Sequence, residues 1–283
     1  MPELPEVETV RKSLLPFVCQ KEITAVQINY PRVLPKNDSQ EFIVTLIGDS
    51  IIDITRRGKY LLFAMESKLW MIIHLRMTGR LLYYADGKTP LAKHTSAIIG
   101  FRDGSQLRFV DQRKFGTIYY VAPSELSQIA GLHTMGPEPL CKEFTVNQLQ
   151  NNLDRDIKVK GLLLDQKRLA GLGNIYADES LFRAGIHPSR LGSSLTALEV
   201  AGLYHSIQAV LTEAIALEGT TIRDYQTGWG TSGGYQHKLK VYGRRDEPCP
   251  QCQTPIAKIR IAGRSTHYCP NCQRWDGAAQ CED

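Results

Sequence analysis

Cys249-Pro250-Gln251-Cys252 and Cys269-Pro270-Asn271-Cys272, sixteen residues apart, constrain the C-terminal part of this 283-residue chain more tightly than any other feature. Each Cys-x-x-Cys turn presents two thiolates, and two such knuckles complete a tetrahedral set around one Zn²⁺. Four cysteine ligands leave no position for water. One structural zinc is therefore expected on Cys249, Cys252, Cys269 and Cys272. Of the seven cysteines the other three, Cys19, Cys141 and Cys281, stand alone. That is metal-site spacing rather than a disulfide framework, and it points to a reducing compartment. Between the knuckles, Lys258 to Arg264 reads as a hairpin that can offer an arginine to a phosphate.

The length favours two domains, each able to bury its own core. A hydrophobic content of 42% and a charged content of 22% are those of an ordinary globular protein. Met1 to Lys12 carries three glutamates and no apolar stretch, and no eighteen-residue apolar run follows, so a soluble, unexported chain is expected. The net charge of +5 says little alone, but its distribution says more. Arg56, Arg57 and Lys59 cluster, as do Arg113 and Lys114, Lys238 and Lys240, Arg244 and Arg245, and Arg260 with Arg264. Basic clusters between apolar segments suit phosphate contacts along a groove.

The expected fold class is α+β in two domains. The N-terminal domain, 1–133, opens with a helix: Pro5 and two glutamates suit its first turn, and Val7, Val10 and Leu14 form one buried face before Pro16. Ser39 can cap a second short helix that ends at Gly48. The apolar runs Tyr60 to Met65 and Leu69 to Met77 are too short for typical helices, and Asp103-Gly104 is a hairpin signal, so a β-sandwich or barrel follows. A hinge is expected at 134–150, around Met135-Gly136-Pro137-Glu138-Pro139. Residues 151–235 read as helical, and Thr196 with Glu199 opens a long amphipathic helix that Gly219 ends. The glycine-rich stretch from Gln226 to Gly234, with Trp229 in it, is too flexible for an element and long enough for a functional loop. Residues 236–283 form the zinc ribbon.

At the other end, an initiator methionine is normally removed before a residue as small as proline, which would leave Pro2 as a free secondary amine. With an α-amino pKa near about 7.7 to 8.0 it is substantially unprotonated at neutrality. Its condensation with a sugar aldehyde carbon gives an iminium that cannot neutralise itself by losing an N–H proton, so it persists as an electron sink. Glu3 could serve as general acid or base beside it, and Glu6, one helical turn on, could orient water or the sugar.

Pro2-Glu3-Leu4-Pro5-Glu6-Val7-Glu8-Thr9 resembles the opening signature of the formamidopyrimidine-DNA glycosylase family. Further segments recur in the family's order: Arg57-Gly58-Lys59-Tyr60-Leu61, His74-Leu75-Arg76-Met77-Thr78-Gly79-Arg80, Asp111-Gln112-Arg113-Lys114-Phe115-Gly116, Gly136-Pro137-Glu138-Pro139-Leu140, and the zinc knuckles with Gly263-Arg264. Leu164-Asp165-Gln166 with Ala170 to Glu179 resembles the family's helix-two-turns-helix, where Asn174 can cap the second helix and its backbone N–H groups can meet a phosphate. The resemblance spans essentially the whole chain.

It implies a monomeric DNA-repair enzyme that excises oxidised purines such as 8-oxoguanine and formamidopyrimidines from double-stranded DNA, then nicks the abasic site by β,δ-elimination. The DNA would lie in a cleft between the two halves. Pro2 would be the nucleophile, with Glu3, Glu6, Lys59 and Arg264 in the catalytic set. Met77, Arg113 and Phe115 match the family's wedge, which fills the gap left by an everted base. His74, His94, Arg155, Lys160 and Asn174 would contact DNA. Ser96 stands where relatives carry a second histidine, and the 226–236 loop departs from their Lys-Pro-Gly-Tyr-Phe-like stretch. A cytoplasmic, nucleoid-associated location is implied if the source is bacterial, with no membrane partner. The alternatives are an endonuclease-VIII-like glycosylase for oxidised pyrimidines, against which Leu4, Val7-Glu8-Thr9 and the wedge residues argue, and a non-catalytic zinc DNA-binding protein.

Overall fold

The computed structural model describes the chain apart from residues 130, 223–224, 276 and 278–283, so Cys281 lies outside the described residues. It divides into two compact units, Met1–His133 with Ala214–Gln236, and Thr134–Glu213 with the segment that begins at His237.

In the first unit α1 (Leu4–Val18), β1 (Ile23–Ile28) and α2 (Ser39–Leu46) precede seven strands: β2 (Ile51–Arg57), β3 (Tyr60–Met65), β4 (Trp70–His74), β5 (Gly79–Tyr84), β6 (Thr95–Phe101), β7 (Gln106–Asp111) and β8 (Thr117–Val121). They form two antiparallel four-stranded sheets of order β2-β3-β4-β8 and β1-β6-β7-β5. One core joins them. Ile54, Leu61, Phe63 and Ile73 from the first sheet cluster with Leu81, Ile99, Leu107 and Phe109 from the second, and Val7, Val10 and Leu14 of α1 join them. The expected β-sandwich with its opening helix is therefore observed, and the helix's periodic apolar face is the one it buries.

Local differences from expectation have physical reasons. The helix α1 runs through Pro16 to Val18 because a proline in the last turn forfeits only one backbone bond, while Val18 is fully buried. Asp38, not Ser39, caps α2, its carboxylate accepting from Gln40 and Glu41 N–H at 2.8 and 3.3 Å. Strand β4 ends at His74, which puts Met77 in a turn rather than a strand.

The second unit carries α3 (Val146–Leu153), α4 (Val159–Leu164), α5 (Asn174–Arg183), most of α6 (Ala197–Ala216), and the hairpin β9 (Ala257–Ile261) and β10 (Arg264–Tyr268). The capping box forms as expected, Glu199 N–H donating to Thr196 Oγ1 and Thr196 N–H to Glu199. The segment 214–236 groups with the first unit, whereas the sequence placed it with the helical one. Its ties explain this: Thr220 N–H donates to Glu6, Gly228 N–H to Ser13 Oγ at 2.9 Å, and Tyr83 N–H to the Gly228 carbonyl at 2.8 Å. No helix among the described residues is long and apolar enough to cross a membrane.

Gly116 marks where the sandwich is tightest. A Cβ there would meet Phe109 Cζ at 2.3 Å, inside the core. Gly116→Ala should therefore lower stability by about 1–3 kcal/mol, read as a lower urea midpoint at constant slope. An unchanged midpoint would show that Phe109 can move aside freely.

Candidate functional site

The start of α1 is locked from both sides. Glu3 and Glu6 are 3% and 1% exposed, and Glu6 uses both carboxylate oxygens on backbone donors: Oε2 accepts from Glu3 N–H at 2.7 Å, and Oε1 from Thr220 N–H at 2.7 Å. Gly219, at φ +79°, allows this approach, since a Cβ there would lie 2.9 Å from Glu6 Oε1. Tyr225 adds a hydrogen bond from its hydroxyl to the Glu218 carbonyl. Glu6, expected to orient water or sugar, holds with its two oxygens the backbone on either side of this turn. Pro2 is buried at the head of this turn, and Met1 is half-exposed. An acylated proline nitrogen has no basic lone pair, so nucleophilic use of Pro2 requires loss of Met1.

Lys59 sits in the two-residue turn between β2 and β3, with Arg57 paired to Tyr60, and is 6% exposed. Arg56 donates to the Gly58 carbonyl at 3.0 Å and pairs with Glu8 of α1 at 3.1 Å. That ion pair ties the Lys59 turn to the first turns of α1. His74 lies opposite Tyr60 in the sheet, their rings 4.3 Å apart. Burial, and secondarily Arg76 and Lys59, push its pKa down to about 3, so it is neutral at physiological pH. Its Nδ1 accepts from Arg76 N–H at 2.9 Å, which leaves Nε2 as the nitrogen that bears the proton and can donate.

Met77, Arg113 and Phe115 do come together. Met77 and Phe115 are 38% and 53% exposed, unusual for such side chains, and Arg113 bridges them. Its Nη1 lies 3.0 Å from Met77 Sδ and its guanidinium 4.9 Å from the Phe115 ring centre. The sequence reading missed what holds them: Asp111, 1% exposed. Its Oδ1 accepts from Thr78 Oγ1 at 2.5 Å and Arg113 N–H at 3.1 Å, and its Oδ2 from Gly116 N–H at 2.7 Å. Its own N–H donates to the His94 carbonyl at 3.0 Å, fixing a residue with φ +68° and a half-buried side chain. One carboxylate thus organises the β4–β5 turn and the β7–β8 turn. Its signals in the sequence are an aspartate ending a strand before two turn residues and its place at the head of the Asp111–Gly116 segment.

In the second unit the expected phosphate set divides. Asn174 is the first residue of α5, not its cap, and its Nδ2 donates to the Ser265 carbonyl at 2.9 Å. Lys160 is fully buried, where a phosphate contact was expected. Its ammonium pairs with Asp178 at 2.6 Å and donates to Ser265 O and Thr266 Oγ1 at 3.1 and 2.8 Å. Asp178 also accepts from His267 N–H. The β9–β10 hairpin is thereby bolted to α4 and α5. Ala262 and Gly263 at its tip both have positive φ, the two-residue turn that suits strand twist, and Arg264 follows, exposed. Arg155, also exposed, donates to the Asp154 carbonyl and shares no hydrogen bond with the others among the described residues.

The four cysteine sulfurs lie within 4.8 Å of one another. Separations of 3.8 Å for Cys249–Cys272 and 3.4 Å for Cys252–Cys269 compare with the about 3.8 Å that tetrahedral Zn–S bonds of 2.3 Å impose. Cys249 and Cys269 are fully buried against Phe182 and Val241, so the residues fit one structural zinc. The 226–234 loop, expected to be flexible, is braced: Thr227 and Thr231 bond to each other, and Trp229 stands edge-on to Phe17 at 4.1 Å.

The buried Lys160–Asp178 pair gives a stability test. Lys160→Met strands a carboxylate inside the unit and should cost about 3–5 kcal/mol in urea unfolding, with Asp178→Leu in the same chain recovering most of it. A loss below about 1 kcal/mol, the size of a surface pair, would contradict the burial.

Residues 1–118 match the formamidopyrimidine-DNA glycosylase N-terminal domain, 135–226 the formamidopyrimidine-DNA glycosylase H2TH domain, and 246–274 the zinc finger found in FPG and IleRS. The chain is 46% identical over 261 residues to the formamidopyrimidine-DNA glycosylase of Moorella thermoacetica, covering 92% of this chain and 95% of that one. The enzyme of the same name from Desulforamulus reducens is 47% identical over 262 residues, at 92% and 94% coverage. Among solved structures, Lactococcus lactis Fpg bound to abasic-site DNA superposes with a TM-score of 0.90 at 37% identity, over 96% of this chain and 100% of that one. The chain belongs to the formamidopyrimidine-DNA glycosylase family.

Proposed function

We propose that the Pro2–Glu3 turn, the Lys59 turn and the Asp111-braced wedge act as one machine on damaged DNA. The chain is a base-excision repair DNA glycosylase with abasic-site lyase activity and a structural zinc. What supports the residue roles above all is the commitment of Glu6 to two backbone donors. It leaves Pro2 and Glu3 at the head of a rigid helix, where reacting groups lose little entropy on reaching attack geometry.

With Met1 removed, the Pro2 lone pair forms a bond to the sugar's anomeric carbon, and the glycosidic C–N pair leaves with the base, aided by a proton from Glu3. Ring opening gives the iminium, which acidifies the adjacent carbon; loss of that proton expels the 3′ phosphate, and a second elimination expels the 5′ phosphate. Lys59 holds or moves a proton near the sugar, and neutral His74 donates from Nε2 to a phosphate oxygen. Met77 and Phe115 fill the vacated step while Arg113 donates to the orphaned base. Asn174, the N–H groups at the start of α5, and Arg264 take phosphates, whereas Lys160 serves by holding the Arg264 hairpin. Arg155 and His94 contribute outer contacts. The enzyme works as a monomer in the cytoplasm, on nucleoid DNA.

The substrate class is oxidised purines. A Lactococcus lactis relative, 37% identical, has been solved with DNA containing N7-benzyl-Fapy-dG and with DNA containing an oxidised pyrimidine, so selectivity is the point to measure. Single-turnover excision from duplexes carrying 8-oxoguanine, formamidopyrimidine or thymine glycol should rank both purines ahead of thymine glycol. Pro2→Gly should lower excision on all three while duplex affinity holds. Fastest turnover of thymine glycol, or full activity in Pro2→Gly, would overturn the reading.

A further inference from the structure

Away from every residue used above, the outer face of the β1-β6-β7-β5 sheet carries a cavity of about 480 Å³. Its floor is built by cross-strand neighbours: Ala25 and Gln27 on β1, Gly100 and Ile98 opposite them on β6, and Gln106 and Arg108 on β7. These positions alternate with Ile99, Leu107 and Phe109, which face the core. The segment Gly87–Leu91, between β5 and β6, forms the wall.

Arg108 does not fit an inert surface. It is fully buried, yet among the described residues no carboxylate pairs with it. Its Nε donates to Gln106 Oε1 at 2.8 Å, its Nη1 to the Pro90 carbonyl at 3.2 Å, and the Tyr84 ring covers one face at 4.1 Å. Nη2 is buried with no hydrogen-bond partner. A desolvated guanidinium with an unused donor is costly unless an anion meets it. Lys88 lines the same cavity, no acidic residue does among the described residues, and Asp86 is exposed, accepting from Lys88 N–H.

We infer that this cavity is a binding site for a small oxyanion, phosphate or carboxylate, received by Arg108 Nη2 and Lys88 beneath the Gly87–Leu91 segment, with Ile98 and Leu91 offering apolar surface to the rest of the ligand. Planar, forked donors suit both groups. The source is either a free solute or a phosphate of the DNA backbone, and the two are separable.

The test follows the Arg108 Nε–H resonance of the zinc-loaded full chain by NMR during titration with sodium phosphate or sodium acetate, against sodium chloride at matched ionic strength. It is repeated with a saturating undamaged duplex. A saturable shift with phosphate or acetate, at a Kd near or below about 1 mM, supports the site. Lys88→Ala, an exposed position that cannot disturb folding, should weaken it about fivefold, the loss of one partly solvated charge contact. A shift elicited by duplex alone, after which phosphate adds nothing, assigns the oxyanion to the DNA backbone. No saturable shift under any of these conditions, or an unaltered response in Lys88→Ala, overturns the proposal.

Discussion

Two backbone hydrogen bonds accepted by one buried carboxylate fix the first turn of this chain. Glu6 holds the Glu3 N–H on one side and the Thr220 N–H on the other, so the first turn of α1 and a segment more than two hundred residues distant in sequence share an anchor. A carboxylate enclosed this way is stabilised only while its donors stay in place. Its environment therefore enforces one geometry, and Pro2 inherits that geometry because it directly precedes the capped turn.

The same device recurs where exposed residues must be held still. Asp111 gathers Thr78, Arg113 and Gly116, and by its own N–H the His94 carbonyl, so that Met77, Arg113 and Phe115 stand out from a rigid base. Asp178 with Lys160 anchors the hairpin behind Arg264. Glu179, whose pKa burial raises, accepts the N–H groups of Lys240, Val241 and Tyr242. In each case a buried acid grips backbone N–H groups and so fixes the segment that carries them. Positioning on packed elements keeps the side chains of such segments within the narrow tolerances that reaction and recognition require.

Much of this was legible beforehand, for reasons of spacing and period. The cysteine knuckles fix a metal site by stoichiometry, strand β3 was readable from its apolar run, and the Thr196–Glu199 box marked the start of α6. What was not legible depended on partners remote in sequence. Lys160 looks like any basic residue beside a helix until Asp178, Ser265 and Thr266 close around it. The 226–234 loop reads as flexible by its glycines, but Ser13, Phe17 and Tyr83 restrain it. Arg56 reads as one more charge of a basic cluster, and only the fold shows that Glu8 of α1 pairs with it. Charge in a sequence indicates capacity for an ion pair, and only the fold says with whom.

In the chemistry proposed for this chain, the amine of Pro2 becomes bonded to deoxyribose. Borohydride reduction of the protein on abasic duplex, followed by proteolysis and mass mapping, tests it most directly. A sugar remnant is expected on the peptide that begins at Pro2 and lacks Met1, with every lysine unmodified. A remnant on Lys59 or another lysine, with the Pro2 ring untouched, would contradict it.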